Sequence, residues 1–210
     1  PLPRQRADLD AGIFEHRCPI GGEELSWQLV DEDAALRPRS LYAASKTAQE
    51  NYALAWSEST KASVVALRYH NVYGPGMPRD TPYSGVAAIF RSAIERGKPP
   101  AVFEDGGQMR DFVHVDDVAA ANLAAVAAGG DGFAAANVCS GQPISILEVA
   151  NSLCDARQDT VEPVITGRYR SGDVRHIVAD PTRAASLLGF RANIEPRKGL
   201  RDFAFAPLRG

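Results

Sequence analysis

Residues 40–57, rich in alanine, are followed after a few positions by the apolar run 62–68, and this succession constrains the fold more than anything else in the sequence. The first segment reads as a helix, with Pro38 marking its approach and Ser40 placed as the N-cap. On it, Leu41, Ala44, Ala48 and Tyr52 share one face. The second segment is a short run of β-formers after a helix, which predicts a buried strand of a parallel sheet. Short strands over 99–103, near 137–141 and over 163–166 then alternate with helices over about 85–96, 118–127 and 146–153. Asp180 and Pro181 open a helix that Gly189 closes, and a short helix beyond Pro196 leads into a tail expected to be poorly ordered. The chain is therefore expected to be α/β.

At 210 residues and 45% hydrophobic, the chain can bury one sizeable core. Its net charge of -3 comes without a long basic run, which argues against a nucleic-acid partner. No apolar run approaches the roughly 18 residues that span a bilayer, so no membrane partner is expected. Cys18, Cys139 and Cys154 are an odd, widely spaced set that does not read as a disulfide framework and fits a reducing cytoplasm. Residues 1–39 show no sustained period and read as an irregular lead-in, with one short strand near 25–30. Within it, Cys18-Pro19-Ile20-Gly21-Gly22 looks like half of a zinc-knuckle turn. One cysteine with His16 nearby falls short of the ligands zinc needs, so no metal is expected.

Chemistry is best sought at Tyr42 and Lys46, four residues apart and so on one helix face. A cation there stabilises the phenolate and lowers a pKa that is ordinarily about 10. Six tyrosines and four lysines give about 0.1 such pair by chance, so the spacing alone is suggestive only. The strand over 62–68 delivers Tyr69, His70 and Asn71 to the carboxyl edge of the sheet, where open α/β folds bind ligands. His70 reads as a residue packed beside a ligand without a proton role, and Asn71 as a ligand-contacting amide or a turn stabiliser. Arg110 offers a fork suited to phosphate, with a salt bridge to Asp111 or Asp116 as the plainer reading. Asp116 and Asp117 precede the helix over 118–127 and read as its N-cap and dipole residues, and Ser145 with Glu148 as a capping box.

Taken in order, Tyr42-x-x-x-Lys46, Leu67-Arg68-Tyr69-His70-Asn71-Val72-Tyr73-Gly74-Pro75-Gly76, Gly107-Gln108-Met109-Arg110-Asp111-Phe112-Val113-His114-Val115-Asp116-Asp117 and Arg170-Ser171-Gly172-Asp173 resemble the extended short-chain dehydrogenases that act on nucleotide sugars. The nearest match is the NAD-dependent epimerase/dehydratase family, over roughly residues 40–200. The resemblance implies the C-terminal part of a Rossmann-like parallel sheet with a small α/β substrate-binding subdomain, together filling 40–210, and 1–39 as lead-in or remnant of an insertion. It implies NAD as cofactor and a nucleoside-diphosphate sugar as substrate. Tyr42 would be the acid/base and Lys46 its partner, both also touching the cofactor beside Tyr69 and His70. Asn71, Arg110 and Arg170 would hold the substrate. Arg168, two residues from Arg170, is easily confused with it.

None of the 18 glycines forms Gly-x-Gly-x-x-Gly or Gly-x-x-Gly-x-x-Gly, the turn that holds a dinucleotide pyrophosphate. The chain therefore reads as the C-terminal part of a longer enzyme, expected to be a homodimer and a cytoplasmic isomerase of carbohydrate metabolism. The truncated chain alone is expected to be inactive and to bind NAD poorly. The alternatives are a dTDP-glucose 4,6-dehydratase-like lyase, a reductase with net redox turnover, and a non-catalytic remnant.

Overall fold

The computed structural model describes residues 3–79, 84–157 and 161–209, and the loop expected at 79–84 lies largely outside them. Ser40 caps α2 (Leu41–Thr60) by accepting the Ala43 N–H at 3.1 Å, and Lys61 ends it in the left-handed region. β1 (Val64–Tyr69) follows and pairs in parallel with β6 (Phe133–Val138), Val64 opposite Phe133 and Tyr69 opposite Val138. This is the parallel pairing the sequence predicts.

Alternation along β1 gives its two faces different neighbours. Val65 and Leu67 join Ala136 and Val138 under α4 (Val115–Ala128) and α6 (Thr182–Leu188). On the other face Arg68 reaches α2, donating from Nε and Nη2 to the Glu50 carboxylate at 2.9 and 2.7 Å. α2 turns Ala43, Thr47, Glu50 and Ser57 inward, leaving Leu41 and Tyr52 exposed. The face read from the sequence is thus a solvent face in this chain, and Ser57, not a large apolar residue, is its buried position.

A second core lies between α3 (Val86–Glu95), α5 (Ile146–Arg157) and α7 (Pro196–Phe203), where Phe90, Ile94, Leu153, Leu200 and Phe203 are buried. The parallel pair β2 (Asn71–Tyr73) and β5 (Phe112–His114) joins the two cores, sending Tyr73 and Phe112 into this one and Val113 into the other. α7 rests directly on the Tyr73 ring. A Cβ at Gly199 would fall 2.0 Å from the Tyr73 hydroxyl, so only glycine permits that approach. Two pairs of two-residue strands complete this half: β3 (Ala101–Val102) parallel to β8 (Val164–Ile165), and β4 (Met109–Arg110) antiparallel to β7 (Ile144–Ser145). The capping box forms in both directions, Glu148 N–H to Ser145 Oγ at 3.1 Å and Ser145 N–H to Glu148 Oε2 at 2.8 Å.

Several expectations are corrected. α4 begins at Val115 with His114 as N-cap, accepting the Asp116 N–H through Nδ1 at 3.2 Å, so both aspartates lie in its first turn. Asp117 also accepts the N–H groups of Asn193 and Ile194 at 3.0 Å each, holding the chain between α6 and α7. The tail is pinned, not loose: Gly76 N–H donates to Pro207 O at 2.8 Å, and Arg79 and Met77 bond the backbone of Arg209. The lead-in holds a helix the sequence did not announce, α1 (Arg6–Asp10), and only single bridges, Arg17 with Glu24 and Val30 with Ala179, where a strand was expected.

Candidate active site

Tyr42 and Lys46 sit in the first two turns of α2 on one face, with the Lys46 ammonium 5.6 Å from the centroid of the Tyr42 ring. Tyr42 is 72% exposed. Lys46 Nζ donates to Gln49 Oε1 at 3.4 Å, and no carboxylate among the described residues bridges it. At the carboxyl end of β1, His70 N–H donates to Val138 O at 3.1 Å and Tyr69 Oη to Asn122 Oδ1 at 2.8 Å. Burial lowers the His70 pKa from its ordinary value. Its Nδ1 is buried without a partner among the described residues.

Asn71, Arg110 and Arg170 come together at one cavity of about 460 Å³, within the range that small-molecule sites occupy. Phe90 and Ile146 line it from the second core, and Phe103, Glu104, Gln108 and Asp173 from the loops. Tyr42 and Lys46 lie outside its wall. Phe103 carries two guanidinium groups over its ring, Arg168 at 5.0 Å and Arg170 at 5.4 Å from the centroid, and of the two only Arg170 lines the cavity. The cavity thus separates two arginines that sequence alone leaves confusable.

Arg110 does not make the salt bridge to Asp111 or Asp116 that was the plainer reading. Its Nη1 donates to Met109 O at 2.8 Å and Arg175 O at 2.7 Å, and its Nη2 to Val174 O at 2.9 Å. Burial lowers its pKa from the usual arginine value, and no carboxylate among the described residues bridges it. Asp111 instead turns away. Fully buried, it accepts Ser140 N–H at 2.6 Å, Ser140 Oγ at 2.8 Å and Gly141 N–H at 2.9 Å, fixing the turn after β6 beside Asn71 and Arg110. Burial raises its pKa, against those three bonds.

Charge balance then decides what the cavity can hold. Glu104 is a wall residue, but its carboxylate is taken by Arg4 at 2.9 Å and by Arg175 at 2.8 Å. Arg110 and Arg170 make no ion pair among the described residues; Asp173 in the same wall acts on Arg110 through its charge and Lys98 adds a further cation, which leaves one side of the cavity basic and suited to phosphate oxygens. Gln108 adds an amide oxygen with no partner among the described residues, while its Nε2 donates to Phe103 O at 3.0 Å. The sequence reading missed Phe103, Glu104, Gln108, Arg4 and Arg175. Only Phe103 had a local signal, a lone aromatic ending a strand before the Asp105-Gly106-Gly107 turn.

Cys139 and Cys154 are buried thiols, and burial pushes Cys139 up to about 12. Among the described residues no group of three His, Cys, Asp or Glu side chains is placed to hold a metal, and no helix is long and apolar enough to cross a membrane.

Comparison with known proteins adds the following. Residues 21–139 match the model of the NAD dependent epimerase/dehydratase family. A curated dTDP-L-rhamnose 4-epimerase of Burkholderia thailandensis is 38% identical over 202 residues, 96% of this chain and 54% of its own length. Among solved structures, the UDP-N-acetylglucosamine 4-epimerase from Methanobrevibacter ruminantium M1, in complex with UDP-N-acetylmuramic acid, superposes with a TM-score of 0.77 at 28% identity over 92% of this chain and 59% of that one. The UDP-glucuronic acid 4-epimerase from Bacillus cereus, in complex with UDP-glucuronic acid and NAD, gives 0.74 at 25% identity over 85% and 57%. The chain spans a little over half the length of each.

Proposed function

The chain belongs to the NAD dependent epimerase/dehydratase family, and on that premise we propose that the protein interconverts epimers of a nucleoside-diphosphate sugar. The observation that carries this is the shared cavity of Asn71, Arg110 and Arg170, in which two guanidinium groups lack a carboxylate partner among the described residues. A diphosphate supplies negative charge where these guanidinium groups and Lys98 gather. Binding energy gathered there, remote from the reacting carbon, orients the sugar without stabilising its ground state at the point of reaction.

Tyr42 takes the proton of the sugar hydroxyl and later returns it, and Lys46 on the same helix face favours the phenolate. NAD, when bound, would supply a reversible hydride acceptor for that carbon. The residues present fit the nicotinamide and its ribose: the buried His70 Nδ1 lacks a partner, and Tyr42 and Lys46 stand exposed on α2. They do not fit the pyrophosphate, because none of the 18 glycines forms the turn that cradles it. Asn71 contributes an amide to the substrate at the edge where β2 meets the cavity.

Epimerase is preferred to dehydratase because the relatives named above are nucleotide-sugar 4-epimerases. The test is incubation of the protein, expressed at its full coding length, with dTDP- and UDP-sugars. The reading expects the epimer of one of them with no net NADH. A 4-keto product that has lost water replaces it with the dehydratase, and accumulating NADH with a dehydrogenase.

A further inference from the structure

We propose that residues 3–16 act as a brace that sets the position of Arg170 in the cavity wall, so that Arg4 is a positioning residue for the diphosphate. The inference rests on the nucleotide-sugar reading for what Arg170 holds, and on this chain's own contacts for the brace itself. Among the described residues, the polar anchors that segment 3–16 makes beyond itself fall on the stretch 169–176 or on the wall residue Glu104, apart from the Leu25 N–H to His16 O bond at 2.8 Å.

Arg4 grips both oxygens of Glu104 at 2.9 Å, donates from Nη2 to Asp173 O at 2.8 Å, and from Nη1 to Phe14 O at 3.2 Å. The Arg4 and Glu104 side chains are 5% and 3% exposed. Asp10, at the end of α1, accepts the Tyr169 hydroxyl at 2.5 Å. Glu15 accepts Arg175 Nε at 2.6 Å and pairs with His176 Nε2 at 2.8 Å. Arg175, itself fully buried, closes the ring with Nη1 on Glu104 and Asp105, each at 2.8 Å.

The effect on the Arg170 loop follows from its carbonyls. Those of residues 173, 174 and 175 each accept an arginine from elsewhere, Arg4 at the first and Arg110 at the other two. A loop that spends three consecutive carbonyls on distant side chains is placed largely by them, together with two backbone bonds, Asp173 N–H to Arg170 O at 3.2 Å and Glu104 N–H to Arg168 O at 2.7 Å. Glu104 supports the same conclusion. Among the described residues it is one of two non-glycine residues with positive φ, at 54°, a conformation that persists only where the surroundings impose it, and here Arg4 and Arg175 hold its carboxylate. The family match spans residues 21–139, so both 3–16 and 169–176 lie outside it.

The test compares wild type with Arg4→Met and Arg4→Lys in the protein at its full coding length. Arg175 remains on Glu104 in both, so no buried carboxylate is stranded. Hydrogen exchange of the backbone over 168–176, without ligand, reads the brace directly and should quicken in Arg4→Met while exchange in α5 stays unchanged. Calorimetric titration with UDP and dTDP should show affinity falling about tenfold in Arg4→Met, the loss of one charge-assisted contact's worth of positioning, with partial recovery in Arg4→Lys. kcat at saturating sugar nucleotide should stay within about twofold, since the proton-transfer pair on α2 is not touched. Unchanged exchange over 168–176 overturns the brace whatever binds. So does a variant that melts earlier yet keeps wild-type nucleotide affinity, or one in which kcat falls and KM does not move. Wild type that binds neither UDP nor dTDP sinks the nucleotide-sugar reading instead, and the exchange result still decides the brace.

Discussion

The half of the molecule built on α3, α5 and α7 and the half built on β1 and β6 differ in how far their elements are covered. In the first, Phe90, Ile94, Leu153 and Phe203 are buried together, and the backbone of 76–79 is tied by 207–209. In the second, β1 pairs only with β6 among the described residues, and α2 leaves Leu41, Tyr42 and Tyr52 in solvent. The closed half carries the cavity with Arg110 and Arg170, and the open half carries Tyr42 and Lys46. On the proposed function, ligand anchoring and proton transfer would stand on different supports, and variants should separate them.

The largest expected effect is at Tyr42. Tyr42→Phe removes the proton carrier and should lower kcat by about 10²- to 10⁴-fold, with nucleotide-sugar affinity unchanged by calorimetry. Retained turnover would take Tyr42 out of the mechanism. Next is Arg170→Ala, which should weaken UDP or dTDP binding by about 10- to 100-fold, since a charge-assisted contact contributes about 1.5–3 kcal/mol. Arg170 is exposed and its side chain makes no hydrogen bond among the described residues, so the melting temperature should hold. Arg110→Ala should weaken binding and also lower the melting temperature, because three backbone carbonyls lose their donor. Equal melting of the two variants would contradict the structural part assigned to Arg110.

Legibility in the sequence follows the range of the interaction. Ser40 at the start of α2, the Ser145–Glu148 box and Gly189 closing α6 are settled within four residues, and each could be read directly. The motif order pointed to Asn71, Arg110 and Arg170, which meet at one cavity though separated by up to about a hundred residues. The brace gave no such signal. Arg175 finds Glu15 and Glu104 at sequence separations of 160 and 71, and no local period marks an arginine for burial. Glu32 is similar: buried in the lead-in, it accepts Asn137 N–H at 2.6 Å across 105 residues. An irregular stretch rich in charges looks loose until its partners are known, which is why 3–39 read as a lead-in and why the tail looked free.

Acid should act on the closed half before the open one. Burial works to raise the Glu15 and Asp105 carboxyls, but hydrogen bonds from Arg175, joined by His176 at Glu15 and Gly107 N–H at Asp105, leave both below their ordinary values of 4.5 and 3.8. Groups depressed on folding stabilise the native state above those values and lose that contribution as pH falls through the folded ones, where the unfolded chain already binds the protons. Urea midpoints should therefore drop between about pH 5 and pH 3, with exchange over 3–16 and 168–176 rising before that over β1 and β6. The effect is moderated because both carboxyls are partly solvated. A fall that begins at β6 would place the acid-sensitive contacts elsewhere.

The smallest effect bears on the first turn of α2. Ser40→Ala removes the acceptor for the Ala43 N–H and should cost about 1 kcal/mol of stability, typical of a lost N-cap. The turn that frays is the one bearing Tyr42, and little packing restrains it, since Leu41 and Tyr42 are both exposed. kcat should fall modestly with the population of the frayed state, and amide exchange over 41–44 should quicken. Nucleotide affinity should not change, because no residue of the cavity wall lies on α2. A loss of UDP affinity in this variant would mean that the first turn of α2 communicates with the cavity, and the division between an anchoring half and a proton-transfer half would have to be given up.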